Sequence, residues 1–402
     1  MNPSVSNFTV ALIAGEPSGD YLGARLMGAL KAQHSNINFI GIGGPLMQAQ
    51  GLQSFFPYEE LALMGLVEII PHIRHLQKRI QRTADYLRQI NPAALITIDS
   101  PGFNKRVAKK IGKGRFPLIH YVAPSVWAWR PGRAKVMAKL YDAVLCLLPF
   151  EPPYFERAGM KAYFIGHPIV ESGAGIGDAK RLRQKLNINP NAKVICLLPG
   201  SRKGEIARHM PLFRQTMARL QERYGQVVAL LPTLPHLQEL IAPYIKNFPT
   251  PLHILTAEQD KHDAFALSQI ALTASGTVTL ELALAGLPHV VVYRVNWLTA
   301  LIARQLVKTP WITLSNILLQ KNTVPEYIQE RATPHLVTEA IAELLDNPAK
   351  RMDQIASLEE ASQKLKQTAL PSEAAAKAVL SLMKQESLDY AGNSILARSA
   401  NA

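Results

Sequence analysis

The chain has 402 residues, 48% of them hydrophobic, which favours two domains of ordinary size over one core. Lysine and arginine number 44 against 30 acidic residues, and the resulting net charge of +14 predicts an anionic partner. Cys146 and Cys196 lie in apolar runs, no Cys/His cluster has zinc spacing, and no apolar run could cross a bilayer. The composition therefore argues against disulfide-rich, zinc-stabilised and membrane-spanning proteins and predicts a reduced, cytoplasmic one.

Strands alternate with helices through the first part of the chain. The N-terminal residues run straight into the first strand without the pattern of a secretory signal. Apolar runs predict strands at Phe8–Ala14, Asn38–Ile42, Ala93–Ile98, Leu118–Val122, Ala143–Leu148 and Ala162–Ile165. Apolar residues at helical spacing predict helices at Tyr21–Ala32 and Ile73–Ile90.

A glycine-rich, linker-like stretch, Glu171–Asp178, precedes a second series of strands. These strands are predicted at Val194–Leu198, Val227–Leu231, His253–Leu255, Ile270–Thr273 and His289–Tyr293. Alternating strands and helices predict parallel sheets. We therefore expect an α/β protein with two doubly wound, Rossmann-like domains, 1–170 and 171–333, facing across a cleft, then C-terminal helices at 334–384 and a frayed tail at 385–402.

Polar side chains follow many of the predicted strands. Ligands of open parallel sheets bind beyond the carboxyl ends of the strands, so these positions are the first candidates for a site. The residues that satisfy this criterion are Glu16, Asp99, Ser125, His167, Arg202, Ser275 and Arg294.

The central loop, Pro199–Arg202, joins a predicted buried strand to a helix. Gly200 lets the backbone approach a ligand, Ser201 can cap the helix or donate its hydroxyl, and Arg202 offers a planar fork to phosphate oxygens. An ordinary strand-to-helix turn with a surface arginine explains this stretch equally well, because it matches neither a Walker loop nor a dinucleotide fingerprint.

A second candidate anion site follows the strand Ile270–Thr273. Ser275 or Thr277 can cap the next helix beside Gly276, and Glu281 lies one turn in, where its carboxylate can accept ribose hydroxyls. The alternative is a capped helix in which Glu281 complements the dipole. We favour a nucleotide site, since two helix N-termini from neighbouring strands converge on one pocket.

Asp99 ends an apolar strand, and a partly buried carboxylate there suits a general base. A turn-capping aspartate explains the same residue, and the sequence alone modestly favours that interpretation. Beyond the next strand, Ser125, Trp127 and Arg130 combine hydroxyl, aromatic and guanidinium groups that can stack on a sugar or hold a phosphate. A packed aromatic corner is an equally good interpretation.

Two segments are apolar and immediately followed by cations, as expected of a membrane interface: Leu61–Arg79 and Trp297–Lys308. Burial within a domain explains each segment as well. The block between Asp99 and Asp142 contains ten cations and no acidic residue, which again indicates an anionic partner.

Ten short motifs follow one another along the chain: Gly15–Asp20, Met64–Glu68, Asp99–Asn104, Pro124–Arg130, Leu148–Glu151, Gly166–Pro168, Leu198–Arg202, Ala274–Thr277, Ser315–Leu318 and Val324–Glu326. Together, these motifs resemble those of the lipid A disaccharide synthase family. They occur in the family's order over about four fifths of the chain. The resemblance implies a GT-B glycosyltransferase that moves 2,3-diacylglucosamine from UDP to the 6-hydroxyl of 2,3-diacylglucosamine 1-phosphate, with inversion to a β-1,6 linkage.

The resemblance also assigns roles to residues. It implies that Asp99 is the candidate base, Arg202 the essential arginine and Asn316 a substrate contact, and it implies neither a cofactor nor a metal. The family usually has a second carboxylate where this chain has Gly102, which leaves either Asp99 or Glu16 as the base.

The resemblance further implies a protein peripherally attached to the inner face of the inner membrane. A homodimer is one alternative for its oligomeric state. Two other functions remain as alternatives. A UDP-N-acetylglucosamine epimerase shares the architecture, and a non-enzymatic nucleic-acid binder explains the charge, although strand-end carboxylates repel phosphates.

Overall fold

The computed structural model describes residues 8–62, 69–306 and 309–384. The chain forms two compact units: unit 1 comprises Met1–Pro168 with Gln367–Ala402, and unit 2 comprises Ile169–Lys366. The segment 334–384, grouped by the sequence as one set of C-terminal helices, is therefore divided between the units. The predicted tail, residues 385–402, lies outside the described residues.

Unit 1 contains a parallel sheet of seven strands within its described residues, in the order β3-β2-β1-β4-β5-β6-β7. The strands are β1 Phe8–Ala14, β2 Ile37–Ile42, β3 Leu52–Ser54, β4 Ala94–Ile98, β5 Leu118–Tyr121, β6 Ala143–Cys146 and β7 Lys161–Phe164. The helices are α1 Pro17–Gln33, α2 Pro45–Ala49, α3 Glu59–Ala62, α4 Ile69–Ile90, α5 Pro101–Ile111, α6 Arg133–Leu140 and α7 Pro152–Glu156.

Unit 2 contains a parallel sheet of six strands within its described residues, in the order β10-β9-β8-β11-β12-β13. The strands are β8 Lys193–Leu198, β9 Val227–Pro232, β10 Leu252–Leu255, β11 Ile270–Ala274, β12 His289–Tyr293 and β13 Glu326–Ile328. The helices are α8 Ala179–Lys185, α9 Lys203–Tyr224, α10 Gln238–Ile245, α11 Glu258–Leu267, α12 Val278–Leu284, α13 Trp297–Leu306, α14 Leu314–Leu319, α15 Pro334–Asp346 and α16 Pro348–Leu365.

Strand β1 shows why both faces of the first sheet are covered. Its side chains alternate between faces, as the two-residue period of a strand requires. Ala11 and Ile13 belong to one buried core, and Val10, Leu12 and Ala14 belong to the other. Because a parallel sheet buries both faces, its strands read as continuous apolar runs, and each fully buried aliphatic side chain stabilises the fold by roughly 1.5–3 kcal/mol.

The chain returns to unit 1 through a last helix, α17, over residues 371–384. Ala375, Ala376 and Val379 are fully buried in the core that also contains Val10 and Leu12 of β1. In contrast, α15 packs in the unit 2 core with α9. Among the described residues, no helix is long and apolar enough to cross a membrane.

The predicted glycine-rich linker is packed rather than free. Unit 2 begins at Ile169, and Gly177 lies so close to the backbone carbonyl of His262 that a Cβ atom there would collide with it. A hydrogen bond of 2.8 Å from the Asp178 backbone N–H to Asp263 Oδ1 fixes the end of the segment. Gly177 therefore allows close backbone approach within unit 2.

Candidate functional site

Each sheet has one point where the order of its strands reverses direction. In unit 1 the reversal lies between β1 and β4, and in unit 2 it lies between β8 and β11. Crevices for ligands in open α/β sheets form beyond the carboxyl ends of the strands at such points. Glu16 and Asp99 follow the two strands of the first switch point, and the central loop and Ser275 follow those of the second.

A cavity of about 570 Å³ lies at the switch point of unit 2. It is lined by residues 198–202, 232–234, 255–258 and 274–278, together with Glu205, Leu237, Lys261 and Glu281. The loops after β8, β9, β10 and β11 thus meet in one pocket. The structure brings together in this pocket all the predicted nucleotide-site residues of this unit. Asn316, the substrate contact that the resemblance implies, is not among the residues that line it.

The central loop is shaped by Gly200 and held by Glu205. Gly200 has a φ of +112°, and a Cβ atom there would lie 2.5 Å from Glu205 Oε2. That carboxylate accepts hydrogen bonds from the backbone N–H groups of Ser201 at 3.1 Å and Arg202 at 3.3 Å. Arg202, rather than the predicted Ser201, occupies the N-cap position of α9.

The Arg202 side chain reaches outward into solvent. It is 82% exposed, and its Nη1 lies 3.2 Å from Glu205 Oε1. Because a pair this exposed contributes little to stability, the guanidinium can reorient toward an incoming anion at small cost. The loop backbone is therefore fixed while its cation is free to turn.

His209 anchors the central loop from behind. Its Nδ1 lies 2.8 Å from the Pro199 carbonyl oxygen, and its Nε2 accepts the backbone N–H of Arg294 at 3.0 Å. Since Nε2 accepts, Nδ1 carries the proton and donates to Pro199. Burial lowers the pKa of His209, which keeps the ring neutral as this bridge requires. Arg294, a strand-end candidate, therefore has a structural role here.

The loop after β11 differs in detail from its prediction. Ser275 does not cap α12, because its hydroxyl donates to the Ile312 carbonyl at 3.1 Å. Thr277 occupies the N-cap position, but its side chain makes no capping hydrogen bond. Glu281 pairs with Lys261 Nζ at 3.0 Å, so a cation from α11 holds the carboxylate beside the cavity.

Asn316 is fully buried, which does not fit the expected direct contact with substrate. Its Nδ2 donates to the Val324 carbonyl and to Glu326 Oε1, both at 2.9 Å. Its Oδ1 accepts the backbone N–H groups of Thr323 and Val324 at 2.9 and 2.8 Å. Both ends of the amide are therefore satisfied within the protein. Through Glu326, Asn316 supports the segment whose carbonyl receives the Ser275 hydroxyl.

Asp99 occupies a strained and partly buried position in unit 1. Its φ is +47°, and Ser100 follows at +39°. The backbone N–H of Asp99 donates to the Tyr121 carbonyl at 2.9 Å, and its carbonyl accepts from Nδ2 of the buried Asn104 at 2.8 Å. Burial raises the pKa of the Asp99 carboxyl, which a backbone hydrogen bond at Ser100 partly offsets. Strain held in place by neighbouring hydrogen bonds is common at functional sites.

The turn between β1 and α1, which contains Glu16, lies against the turn between β4 and α5, which contains Asp99. A Cβ atom on Gly15 would lie 3.0 Å from Ser100 Oγ, so the two turns touch. Glu16 itself is exposed at the N-cap position of α1. Asp20 of the same motif is buried and accepts the backbone N–H groups of Leu46 and Met47, both at 3.0 Å. Asp20 therefore stabilises the fold, and Asp99 is the more buried of the two candidate bases.

The aromatic loop after β5 is held by a buried carboxylate. Trp127 Nε1 donates to Glu151 Oε1 at 3.1 Å, and the indole packs edge-on against Phe150. Glu151 also accepts two backbone N–H groups, and burial raises its pKa to about 7. Trp127 is therefore a packed residue, as the aromatic-corner interpretation expects, whereas Ser125 and Arg130 are exposed.

Sequence reasoning missed several residues that shape these sites: Asn104, Glu151, Glu205, His209 and Lys261. Glu151, His209 and Lys261 act through contacts with another loop, and nothing in their local sequence indicates the partner. Asn104 and Glu205 hold the backbone within five residues of themselves, and the position of Glu205 at the start of a helix is a local signal of a capping box. Thr233 and Thr256, which line the cavity, were detectable because each directly follows a strand.

The comparisons with known proteins agree with this geometry. The family model of the lipid-A-disaccharide synthetase matches residues 10–380. A lipid-A-disaccharide synthase of Rhodospirillum centenum is 46% identical over 378 residues, covering 93% of this chain and 94% of that protein. One from Gluconobacter oxydans is 43% identical over 375 residues, covering 93% and 90%.

Solved structures share the fold at low sequence identity. The UDP complex of Staphylococcus aureus MnaA has a TM-score of 0.63 at 14% identity, covering 93% of this chain and 95% of that one. Acinetobacter baumannii MurG has a TM-score of 0.57 at 14% identity, covering 94% and 100%. These neighbours confirm the expected GT-B type of fold with two Rossmann-like domains.

Proposed function

The chain belongs to the lipid-A-disaccharide synthetase family and is a glycosyltransferase of lipid A biosynthesis, and we propose which substrates it takes and which residues act on them. The proposed donor is UDP-2,3-diacylglucosamine, and the proposed acceptor is 2,3-diacylglucosamine 1-phosphate. The observation that carries this proposal is the cavity at the switch point of unit 2, because its size and its two helix-leading loops suit a nucleoside diphosphate.

Unit 2 holds the UDP part of the donor in this proposal. The diphosphate binds at the backbone of Gly200, Gly276 and Thr277 and at the hydroxyl of Ser201, and Arg202 turns from Glu205 onto its oxygens. Glu281, held by Lys261, accepts hydrogen bonds from the ribose hydroxyls. Ser275 fixes the shape of the loop through Ile312. Leu234 and its apolar neighbours offer a surface for the base.

Unit 1 activates the acceptor in this proposal. The acceptor's 6-hydroxyl oxygen attacks the anomeric carbon of the donor from the face opposite UDP. Its proton passes to Asp99, the bond from the anomeric carbon to the diphosphate oxygen breaks, and UDP leaves as an anion. The raised pKa of Asp99 suits a base for this transfer, and Arg202 stabilises the charge that develops on UDP.

We also propose attachment to the cytoplasmic face of the inner membrane, since both proposed sugars carry acyl chains. Supporting this, Trp297 and Leu301 lie on one face of α13 and are 73% and 50% exposed. Within the corresponding segment of unit 1, residues 63–68 lie outside the described residues. At its basic end, Arg79 and His75 both pair with Glu60, at 2.8 and 2.9 Å.

An assay with both proposed substrates in detergent micelles tests the function. We expect stoichiometric release of UDP and formation of a disaccharide 1-phosphate, and no epimerisation of UDP-N-acetylglucosamine. The epimerases among the structural neighbours share only the fold, at 12–14% identity. Turnover of UDP-N-acetylglucosamine without disaccharide formation would overturn the proposal.

A further inference from the structure

The positive charge of the basic block in unit 1 is hardly balanced by acidic side chains. Residues 100–141 contain ten lysines and arginines and no acidic residue. Among the side chains of this block that the structure describes, only Lys113 forms an ion pair, with Asp142 at 3.1 Å. Most of these cations are exposed and need no further explanation, but a subset converges on one tryptophan.

Two arginines contact the indole ring of Trp129. The guanidinium carbon of Arg130 is 4.7 Å from the centroid of the indole ring, and that of Arg133 is 4.2 Å from it. The loop that achieves this is tight, with Arg130 at a φ of +53° and a hydrogen bond of 3.0 Å from the Arg133 backbone N–H to the Arg130 carbonyl. Stacking occupies the faces of the guanidinium groups and leaves their N–H edges available to an anion.

Lys105 adds a third cation from the neighbouring helix α5. It is half-buried, and this burial is the main cause that lowers its pKa. The nearby cations Arg133 and Arg106 lower the pKa further. Arg106 is fixed by a hydrogen bond of 2.9 Å from its Nη1 to the Gly102 carbonyl. Like charges gathered in one place repel one another, and a bound anion relieves that repulsion.

We propose that this cation cluster, Lys105, Arg106, Arg130 and Arg133 around Trp129, binds a phosphomonoester, the 1-phosphate of the acceptor. The inference rests on the proposed function and extends it to recognition of the acceptor. Helix α5 begins just after Asp99, and Lys105 lies about 6 Å of helix rise beyond Pro101. One sugar ring of the acceptor carries both the phosphate and the reacting hydroxyl. The cations that bind the phosphate must therefore lie near the base that accepts the hydroxyl proton, as this cluster lies near Asp99 along the chain.

Acceptors with and without the phosphate test the proposal directly. kcat/KM is measured for 2,3-diacylglucosamine 1-phosphate and for 2,3-diacylglucosamine, with wild type, Arg133→Gln and Lys105→Gln. We expect wild type to prefer the phosphorylated acceptor by about 100-fold or more, and each variant to reduce that preference about tenfold. The KM for the UDP-sugar and the affinity for UDP should not change.

The matched control is Lys135→Gln, since Lys135 is an exposed cation two residues along α6, on the face opposite Arg133. It should keep the wild-type preference, and thermal unfolding verifies that all variants are folded. Arg133→Lys retains the charge but not the planar stack, so an intermediate preference is expected.

Two outcomes would overturn the inference while leaving the proposed function intact. One is a wild type that does not distinguish the two acceptors. The other is variants that retain the wild-type preference. If those variants also bind phosphatidylglycerol vesicles less well than wild type, the cluster is a contact for lipid headgroups. Failure of wild type to release UDP with either acceptor would instead contradict the proposed function itself.

Discussion

The two switch points of this protein have different designs. The one in unit 2 is a cavity where the loops after four strands meet, and a glycine at positive φ, a neutral histidine and a buried asparagine network hold these loops. The one in unit 1 holds a carboxylate, Asp99, whose own backbone is in the left-handed region and whose pKa is raised by burial. One arrangement suits binding of an anion, and the other suits proton transfer.

This difference separates the kinetic effects expected from each unit. Loss of a chemical group in unit 1 should lower kcat without changing the affinity for UDP. Loss of a side chain that holds the loops around the unit 2 cavity should raise the KM for the UDP-sugar. Arg202 is the exception, because in the proposed mechanism it contacts the leaving group in the transition state and should affect kcat as well.

The largest effect is expected for Asp99→Asn. It preserves the size of the side chain and its place between β4 and α5 but cannot accept the acceptor's proton. Loss of a positioned general base typically costs about 10²- to 10⁴-fold in kcat. The affinity for UDP, measured by calorimetry, should stay at the wild-type value because the cavity lies wholly in unit 2.

The pH profile and Glu16→Gln test the same assignment. Asp99 acts as a base only when ionised, so kcat/KM should be constant above its raised pKa and fall as the pH decreases through it. This acid limb should be absent from the residual activity of Asp99→Asn.

Glu16→Gln should retain most of the activity. A collapse in Glu16→Gln with a normal rate in Asp99→Asn would transfer the role of base to Glu16.

The next largest effect is expected for Arg202→Ala. Removing a cation that stabilises a developing charge typically costs about 10²-fold in kcat. The exposed side chain contributes little to folding, so the melting temperature should barely change. UDP should also inhibit this variant less strongly than wild type, because the product carries the same diphosphate.

Lys203→Ala is the matched control for Arg202. Lys203 is the adjacent cation, is also exposed, and is not among the residues that line the cavity. Its removal should change kcat by less than about twofold. Equal losses in both variants would mean that the general charge of the loop matters, rather than a specific contact of Arg202.

The sequence predicted the sheets well because parallel strands are apolar runs. Strands β1 and β12 begin and end where the pattern places them, Phe8–Ala14 and His289–Tyr293. The edge strands β3 and β13 were missed, since three residues carry too little pattern. The strand-end criterion placed Asp99 and Arg202 beyond the carboxyl ends of two strands, and the structure has them after β4 and β8.

Contacts between loops could not be predicted. The local sequence of Asn316 is compatible with an exposed amide, and only the fold shows that its partners are Val324 and Glu326. Similarly, His209 lies in the middle of a helix, ten residues from Pro199 and 85 from Arg294. Side chains that link distant loops leave no periodic signal in the sequence.

The smallest effect, and the sharpest test of the unit 2 design, is expected for a pair of variants of His209. In His209→Asn the shorter amide can reach the position of the imidazole Nδ1 and keep the hydrogen bond to Pro199. In His209→Gln the longer amide reaches the position of Nε2 and keeps the hydrogen bond from Arg294. His209→Gln should therefore free the central loop and raise the KM for the UDP-sugar about tenfold with little change in kcat.

His209→Asn should stay within about threefold of wild type in this KM, although both variants lose stability by removing part of a buried ring. Thermal unfolding measures that shared loss separately from the kinetics. If the two variants raised the KM equally, the bridge from His209 would matter only for packing. A selective effect of His209→Gln would show that the Pro199 hydrogen bond holds the loop in the shape that binds the diphosphate, so that the site depends on a residue that does not line the cavity.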